Sequence, residues 1–360
     1  MYLPKTQDIA DLCIECKECM DCIYLQTFNM NSPKDLANDM LYGRYYARPD
    51  IPYLCTMCGR CSAVCPEGCD PCGMIQEIRA GMVEESIPLP GDAEQVYADQ
   101  KYPLSAEFAL VKRAPSGNTE MMFFPGCGLA AYSPDVLAKL WDWIRENIPD
   151  CGLFLSCCGC PTASLGDVPA EKRVIRRIKA TLDKLGCGKM VVACPDCGKR
   201  LSEAGIETVS IYELMVPLWN RETKEFTGQP VIHDPCKARS NTKMQEAVRE
   251  LIRKSGHRYT EPDNTRKKTK CCGRGAGGLV EYTDSGWKNN YVEERCSELG
   301  GDFITYCANC RETLCEDGLE GIHILDLLFG DPGSAKACEP HTPEERTANQ
   351  RRSRALLEAM

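Results

Sequence analysis

Two places in the chain carry thiols on adjacent residues. Residues 156–161 read SCCGCP and residues 270–278 read KCCGRGAGG. Neighbouring cysteines strain the backbone if they bond to each other, and they cannot both ligate one small tetrahedral ion without distortion. Whatever such a pair serves is needed twice, 114 residues apart. The pairs belong to a set of 26 cysteines in 360 residues. The opening MYLPKTQDIADLC has neither the basic nor the apolar region of a signal peptide, and no stretch approaches 18 uninterrupted apolar residues. A cytoplasmic chain, or one peripheral to a membrane through a partner, is expected. Cytosolic thiols are kept reduced, so these cysteines hold metal or react rather than form disulfides. Only four histidines are present, which argues against His-rich zinc or copper sites. The formal net charge of −9 argues against a nucleic-acid partner.

Cysteine position divides the chain. Ten lie between Cys13 and Cys72, none from 73 to 126, fifteen from Cys127 to Cys315, and Cys338 sits near the end. The cysteine-free gap is rich in Pro, Gly and polar residues and reads as a connector with one helix. Beyond it the pattern alternates strand and helix. EMMFFPGC, GLFLSCC, KMVVACPDC, PVIHDPC and DFITYCANC read as strands. SPDVLAKLWDWIRENI, EKRVIRRIKATLDKLG, TKMQEAVRELIRKSG and GWKNNYVEERCSELGG read as helices, with Ser133 and Pro134 opening the first and Gly186 closing the second. Such alternation predicts parallel sheets with helical crossovers. Thr342 and Glu345 form a capping-box signal for a last helix, a docking arm or a frayed end.

The two α/β halves share one cysteine grammar. Cys127 is followed after 29 residues by Cys157–Cys158, and after 35 more by Cys194 and Cys197. Cys236 is followed after 34 residues by Cys271–Cys272, and after 34 more by Cys307 and Cys310. Each element is expected just after a strand, which would bring the five thiols of each half to one sheet edge. Duplication is the natural cause. Zinc ribbons would explain the CxxC pairs but not the adjacent cysteines. This pattern resembles the cysteine-rich CCG domains of the catalytic subunit of heterodisulfide reductase and its relatives. The resemblance covers roughly residues 120–315. It implies a pseudo-two-fold pair of domains in which each set of five cysteines holds one non-cubane [4Fe–4S] cluster. Cys151, Cys160, Cys187, Cys296, Cys315 and Cys338 fall outside the repeat and read as ordinary thiols, with Cys160 and Cys187 near the sites in sequence. Gly273, Gly275 and Gly278 fit GxGxxG, but no good strand precedes them, so they read as glycines that let the backbone pass close to a bulky group rather than as a nucleotide loop.

Residues 55–66, CTMCGRCSAVCP, match the C-x2-C-x2-C-x3-C-P run of bacterial ferredoxins, a strong [4Fe–4S] signal. CIECKECMDC precedes it with a shortened last spacing. The two-cluster rule assigns Cys13, Cys16, Cys19 and Cys65 to one cubane cluster, and Cys55, Cys58, Cys61 and Cys22 to the other. Cys69 and Cys72 are extra, and either could stand in for Cys22. The long insertion between Cys22 and Cys55 resembles the α-helical domains of fumarate reductase iron–sulfur subunits. The expected organisation is an α-helical ferredoxin-like domain (1–85), a linker (86–118), two α/β CCG domains (119–225 and 226–330) and a tail (331–360).

Two cubane and two non-cubane clusters make an electron path. The resemblance implies an iron–sulfur oxidoreductase subunit of a larger complex, reducing a small disulfide or oxidising thiols, with a flavoprotein or cytochrome as redox partner. The alternative is an electron-transfer subunit of a flavoprotein complex that oxidises 2-hydroxy acids or glycerol 3-phosphate. His233, Lys237 and Asp196 are the candidate proton donors, because each adjoins cysteines of the repeat. Lys237, Arg239 and Arg274 are candidates for binding a negatively charged substrate.

Overall fold

The structure, a computed structural model, describes residues 3–27, 30–221, 223, 228–275, 279–280, 283–337 and 339–360. Its N-terminal part is helical. Helices Pro4–Leu12, Ile23–Thr27, Pro33–Leu41, Arg44–Ala47, Arg60–Val64 and Pro71–Glu84 carry it, and no strand occurs among the described residues up to Glu84. Two of these helices start on side-chain caps followed by proline. Ser32 accepts from the Lys34 amide, and Asp70 accepts from the Gly73 amide. The apolar faces of Leu36, Met40, Met74, Ile78 and Met82 bury against one another in a core separate from that of the α/β part.

The cysteine-free gap is more than a connector. It contains the helix Gln95–Lys101, and Leu110–Lys112 forms strand β1, which pairs antiparallel with β3 (Cys151–Leu155). The middle residue Val111 is exposed, so the three-residue strand leaves no hydrophobic run to find. Strands β2 (Met121–Phe124), β4 (Lys189–Val192) and β5 (Glu207–Ser210) complete a sheet of order β1-β3-β2-β4-β5, parallel except for β1. Helix Pro134–Asn147 begins after Ser133, as expected, although the serine side chain makes no capping bond. Gly186 closes Val168–Leu185 in the left-handed conformation.

The second half is smaller. β6 (Val231–His233), β7 (Phe303–Thr305) and β8 (Gly321–His323) form a parallel sheet in the order β6-β7-β8. By cysteine position, β6 and β7 match β2 and β4. No strand among the described residues matches β3; a single parallel bridge, Val231 to Thr260, stands in its place. The expectation that every cysteine element follows a strand therefore fails at Cys271. The residues before it, HRYTEPDNTRKKTK, are too charged to lie in a buried sheet, and they form loops and a short 3-10 turn, Arg266–Lys268.

A buried polar network holds that loop instead. Asp234, directly after β6, accepts from Arg249 (2.8 Å), the Tyr306 hydroxyl (2.7 Å), the Thr265 hydroxyl (2.9 Å) and the Arg266 amide (2.8 Å). The Thr269 hydroxyl donates to the Asp234 carbonyl. Burial alone would push the Asp234 carboxyl up; Arg249 and its other donors outweigh that and hold it at about 2. Arg249 and Asp234 side chains are both fully buried. Breaking such a pair from one side costs about 3–5 kcal/mol, because the other charge stays buried. Arg249→Met is therefore expected to lower the thermal unfolding midpoint by roughly 10 °C, measured by calorimetry without oxygen. An unchanged midpoint would mean the network does not hold the loop.

The C-terminal segment docks. Thr342 and Glu345 form the expected capping box at the start of helix Pro343–Ala359. Gln350 donates to the Cys127 carbonyl, Asn349 to that of Ala131 and the Ser353 hydroxyl to that of Ala130, strapping the segment that carries Cys127. Among the described residues no helix is long and apolar enough to cross a membrane.

Candidate metal centres

In the first half the five repeat cysteines meet. Cys127 lies at the start of the short helix Gly126–Tyr132 after β2, Cys157 and Cys158 follow β3, and Cys194 and Cys197 open helix Pro195–Glu203 after β4. The Cys127 and Cys157 sulfurs are 3.7 Å apart. Gly126 has φ +78°, and a Cβ there would sit 2.9 Å from the Cys197 sulfur, so only glycine lets the chain pass this close. In the second half Cys236, Cys271 and Cys272 meet Cys307 and Cys310, which open helix Ala308–Glu316 after β7.

The glycine of each CCG has a definite task. Gly159 and Gly273 have φ +82° and +93°, and each amide turns back to donate to the first sulfur of its pair, Cys157 or Cys271, at 3.4 Å. The second sulfur of each pair is distinctive as well. Hydrogen bonds from Cys157 and Cys197 pull the Cys158 thiol well below its ordinary range, and those from Cys271 and Cys310 pull Cys272 down to about 5. The two halves thus repeat their local electrostatics as well as their spacing. They also approach each other: Cys194 and Cys307 line one small cavity.

The N-terminal cysteines fall into two groups. Cys13, Cys16, Cys19, Cys65 and Cys69 line one cavity; Cys22, Cys55, Cys58, Cys61 and Cys72 line another. The crossing-over of Cys65 and Cys22 expected from the ferredoxin rule is what the fold brings about, and the two extra cysteines join one group each.

This block sits on both α/β halves. Arg79, fully buried, donates to the Ser164 carbonyl and to the carbonyls of Pro52 and Cys55. Arg60 reaches the Lys268 carbonyl and Trp287 reaches that of Leu54. Gly275 (φ +55°) passes so close to the block that a Cβ would lie 3.1 Å from the Thr56 Cα, so the glycines of this segment serve close approach; Gly278 lies outside the described residues.

Between the block and the two halves lies a cavity of about 1130 Å³. Cys58, Cys65, Cys72, Cys160 and Cys236 reach it, with Lys237, Arg239 and Asp196. Lys237 donates to the Met57 carbonyl (2.6 Å) and lies among Cys236, Cys160, Asp196 and Cys72. Burial pushes its ammonium down, but those neighbours outweigh burial and hold it above its usual value. Burial pushes Asp196 up despite Lys237. Arg274 is not among the residues that line this cavity. His233 is not either: it is fully buried beside Cys272 and Cys310. Cys160 is 3.7 Å from Asp196, whereas Cys151 and Cys187 bond only to backbone carbonyls. Cys338 lies outside the described residues. Sequence reasoning missed Gln100, which donates to the Cys157 sulfur (3.7 Å) from the cysteine-free gap. A polar residue on a short amphipathic helix gave no signal of it.

Five converging sulfurs in each half exceed the four that a tetrahedral zinc takes, and the all-sulfur donor set fits iron–sulfur clusters. Comparison with known proteins agrees. The family described as "4Fe-4S dicluster domain" matches residues 9–69, and "Cysteine-rich domain" matches twice, at 121–202 and 231–314. A fumarate reductase (CoM/CoB) subunit of Methanothermobacter marburgensis is 26% identical over 77% of this chain and 60% of its own length, so the alignment spans less than two thirds of that relative. A subunit of the dihydromethanophenazine:CoB–CoM heterodisulfide reductase of Methanosarcina mazei is 26% identical over 77% of this chain and 75% of its own. Its counterpart in Methanosarcina acetivorans is 27% identical over 76% and 75%. The chain is thus an iron–sulfur protein that joins a 4Fe–4S dicluster domain to two cysteine-rich CCG domains, similar over most of its length to an iron–sulfur component of heterodisulfide reductase.

Proposed function

We propose that the chain is the disulfide-reducing (or thiol-oxidising) subunit of a multi-subunit complex. The observation that carries this reading is the single cavity onto which cysteines of the dicluster block, Cys160 of the first half and Cys236 of the second all open. The residues that would hold two cubane clusters are Cys13, Cys16, Cys19 and Cys65, and Cys22, Cys55, Cys58 and Cys61. Two non-cubane clusters would be held by Cys127, Cys157, Cys158, Cys194 and Cys197, and by Cys236, Cys271, Cys272, Cys307 and Cys310. When bound, such clusters supply electrons one at a time. Splitting a disulfide takes two electrons and two protons and yields two thiols.

The chain's own residues do the rest. Lys237 and Arg239 place positive charge at the cavity wall for an anionic substrate. Asp196, pushed up by burial, and Lys237 hold protons beside Cys160 and Cys236. The dicluster block meets the second half where Cys58 faces Cys271, which gives electrons a short way in from a flavoprotein or cytochrome partner.

Protein purified without oxygen is expected to hold about sixteen irons per chain, with a paramagnetic signal in the oxidised protein that changes when thiols are added. About eight irons, or a signal indifferent to every thiol, would instead leave an electron-transfer subunit whose chemistry belongs to a flavoprotein partner.

A further inference from the structure

His233 ends strand β6, three residues before Cys236, and is fully buried. Its Nδ1 accepts a hydrogen bond of 3.0 Å from Nε of Arg295, also fully buried. Arg295 is itself fixed, donating to Glu298 (2.7 Å) and to the Asn264 carbonyl (3.0 Å). A guanidinium can only donate, so Nδ1 must present a lone pair and the ring proton must sit on Nε2. Nε2 is buried with no hydrogen-bond partner among the described residues. A ring nitrogen of His233 lies within 4.8 Å of the Cys272 and Cys310 sulfurs. With Nδ1 taken by Arg295, Nε2–H is the group left for those sulfurs. The same tautomer argues against ligation. Coordination through Nε2 while Nδ1 accepts from Arg295 would require the ring to give up its only proton.

We propose that His233 is a positioning residue that holds an N–H against the sulfur of the second five-cysteine centre, with Arg295 and Glu298 locking its tautomer, and so makes that centre easier to reduce than it would otherwise be. The proposal rests on the reading that these five cysteines hold a cluster. Hydrogen bonds to sulfur draw off negative charge and raise the reduction potential. The first half lacks this device: the residue three before Cys127 is Phe124, buried and apolar. The sulfur donor there, Gln100, comes from outside the repeat and meets Cys157. The duplicated halves are thereby built as unequal electron acceptors.

The test uses the full chain purified without oxygen, in four forms: wild type, His233→Phe, His233→Gln and Cys272→Ser. The last identifies the second centre's EPR signal by its loss. Iron content is expected to be unchanged in both His233 variants. In His233→Phe the reduced-to-oxidised ratio of that one signal, read at the wild-type midpoint, is expected to fall about tenfold, about 59 mV for a one-electron centre. The other signals should not move, and His233→Gln, which keeps an N–H, should fall between Phe and wild type. Full iron with unmoved midpoints would overturn the proposal, and so would equal shifts in the two variants. Loss of about four irons in His233→Phe alone would make His233 a ligand rather than a donor. Wild-type protein without the second centre would overturn the cluster reading itself, a failure told apart by the iron count.

Discussion

Cys272→Ser is expected to cost the chain about four of its about sixteen irons and to bring disulfide reduction to background, while the signals of the dicluster block stay as they were. Cys272 is the residue to change because it joins its site together, receiving hydrogen bonds from both Cys271 and Cys310. Serine keeps the size and loses the thiolate, so the buried packing around Leu314 and Phe303 survives. Cys158→Ser does the same in the first half, where Cys157 and Cys197 converge on it. The pair of variants separates two modes of working. If a two-electron substrate takes one electron from each half, either substitution alone abolishes turnover. If one half is only a relay, its loss slows turnover and leaves a measurable rate. Cys315→Ser, outside the repeat, should change neither iron nor rate. Retention of about sixteen irons by Cys272→Ser would remove Cys272 from the ligand set. Iron and sulfide assays with single-turnover kinetics on each variant give the answer.

How much of this could be read from the sequence depended on how local the cause was. The strands that precede Cys127, Cys157, Cys194, Cys236 and Cys307 announce themselves as short apolar runs, and Gly186 and the Thr342–Glu345 box mark helix ends by chemistry confined to a few residues. β1, β5 and β8 do not. LVK, ETVS and GIH are too short or too polar to show a period, and become strands only because a neighbouring strand offers its edge. The second half misled for a related reason. Its cysteine spacing copies the first half so closely that a strand before Cys271 was the natural expectation, yet the loop is held by Asp234 and Arg249. Each of these has a plain sequence reading as a surface charge. Pairing across 15 residues, in a place that buries both, cannot be seen in a one-dimensional pattern. His233 and Arg295 are 62 residues apart, so the sequence shows a histidine near a cysteine but not which nitrogen is spoken for. Cys69 and Cys72 lie on either side of the start of helix Pro71–Glu84, and that turn sends one to each group of thiols.

Lys237→Met is the second large effect, and it follows from what surrounds the ammonium. Lys237 meets the dicluster block through the Met57 carbonyl and lies beside Cys72 of that block, Cys160 and Asp196 of the first half and Cys236 of the second. Arg239 adds a donor to the Cys58 carbonyl from the same turn. One cation at about 5 Å from each of several acidic groups is worth on the order of 3 kcal/mol per pair at the effective dielectric of such sites. Methionine keeps the length and apolar stem and removes the charge. Adding an electron to a centre becomes harder once a neighbouring positive charge is gone, so the potentials of the centres near Cys72 and Cys236 should both fall, by roughly 60 mV or more for each tenfold change in the one-electron equilibrium. An anionic substrate should also bind less tightly, raising KM by roughly 10–100-fold. Higher ionic strength should narrow that KM gap between wild type and variant, because added salt screens attraction at a solvent-open cavity. Lys184→Met, which removes an exposed charge from helix Val168–Leu185, should do none of this. Redox titration and steady-state kinetics on the same preparations measure both quantities. Potentials and KM that stay at wild-type values in Lys237→Met would show that the cation serves only to dock the dicluster block on the two CCG domains.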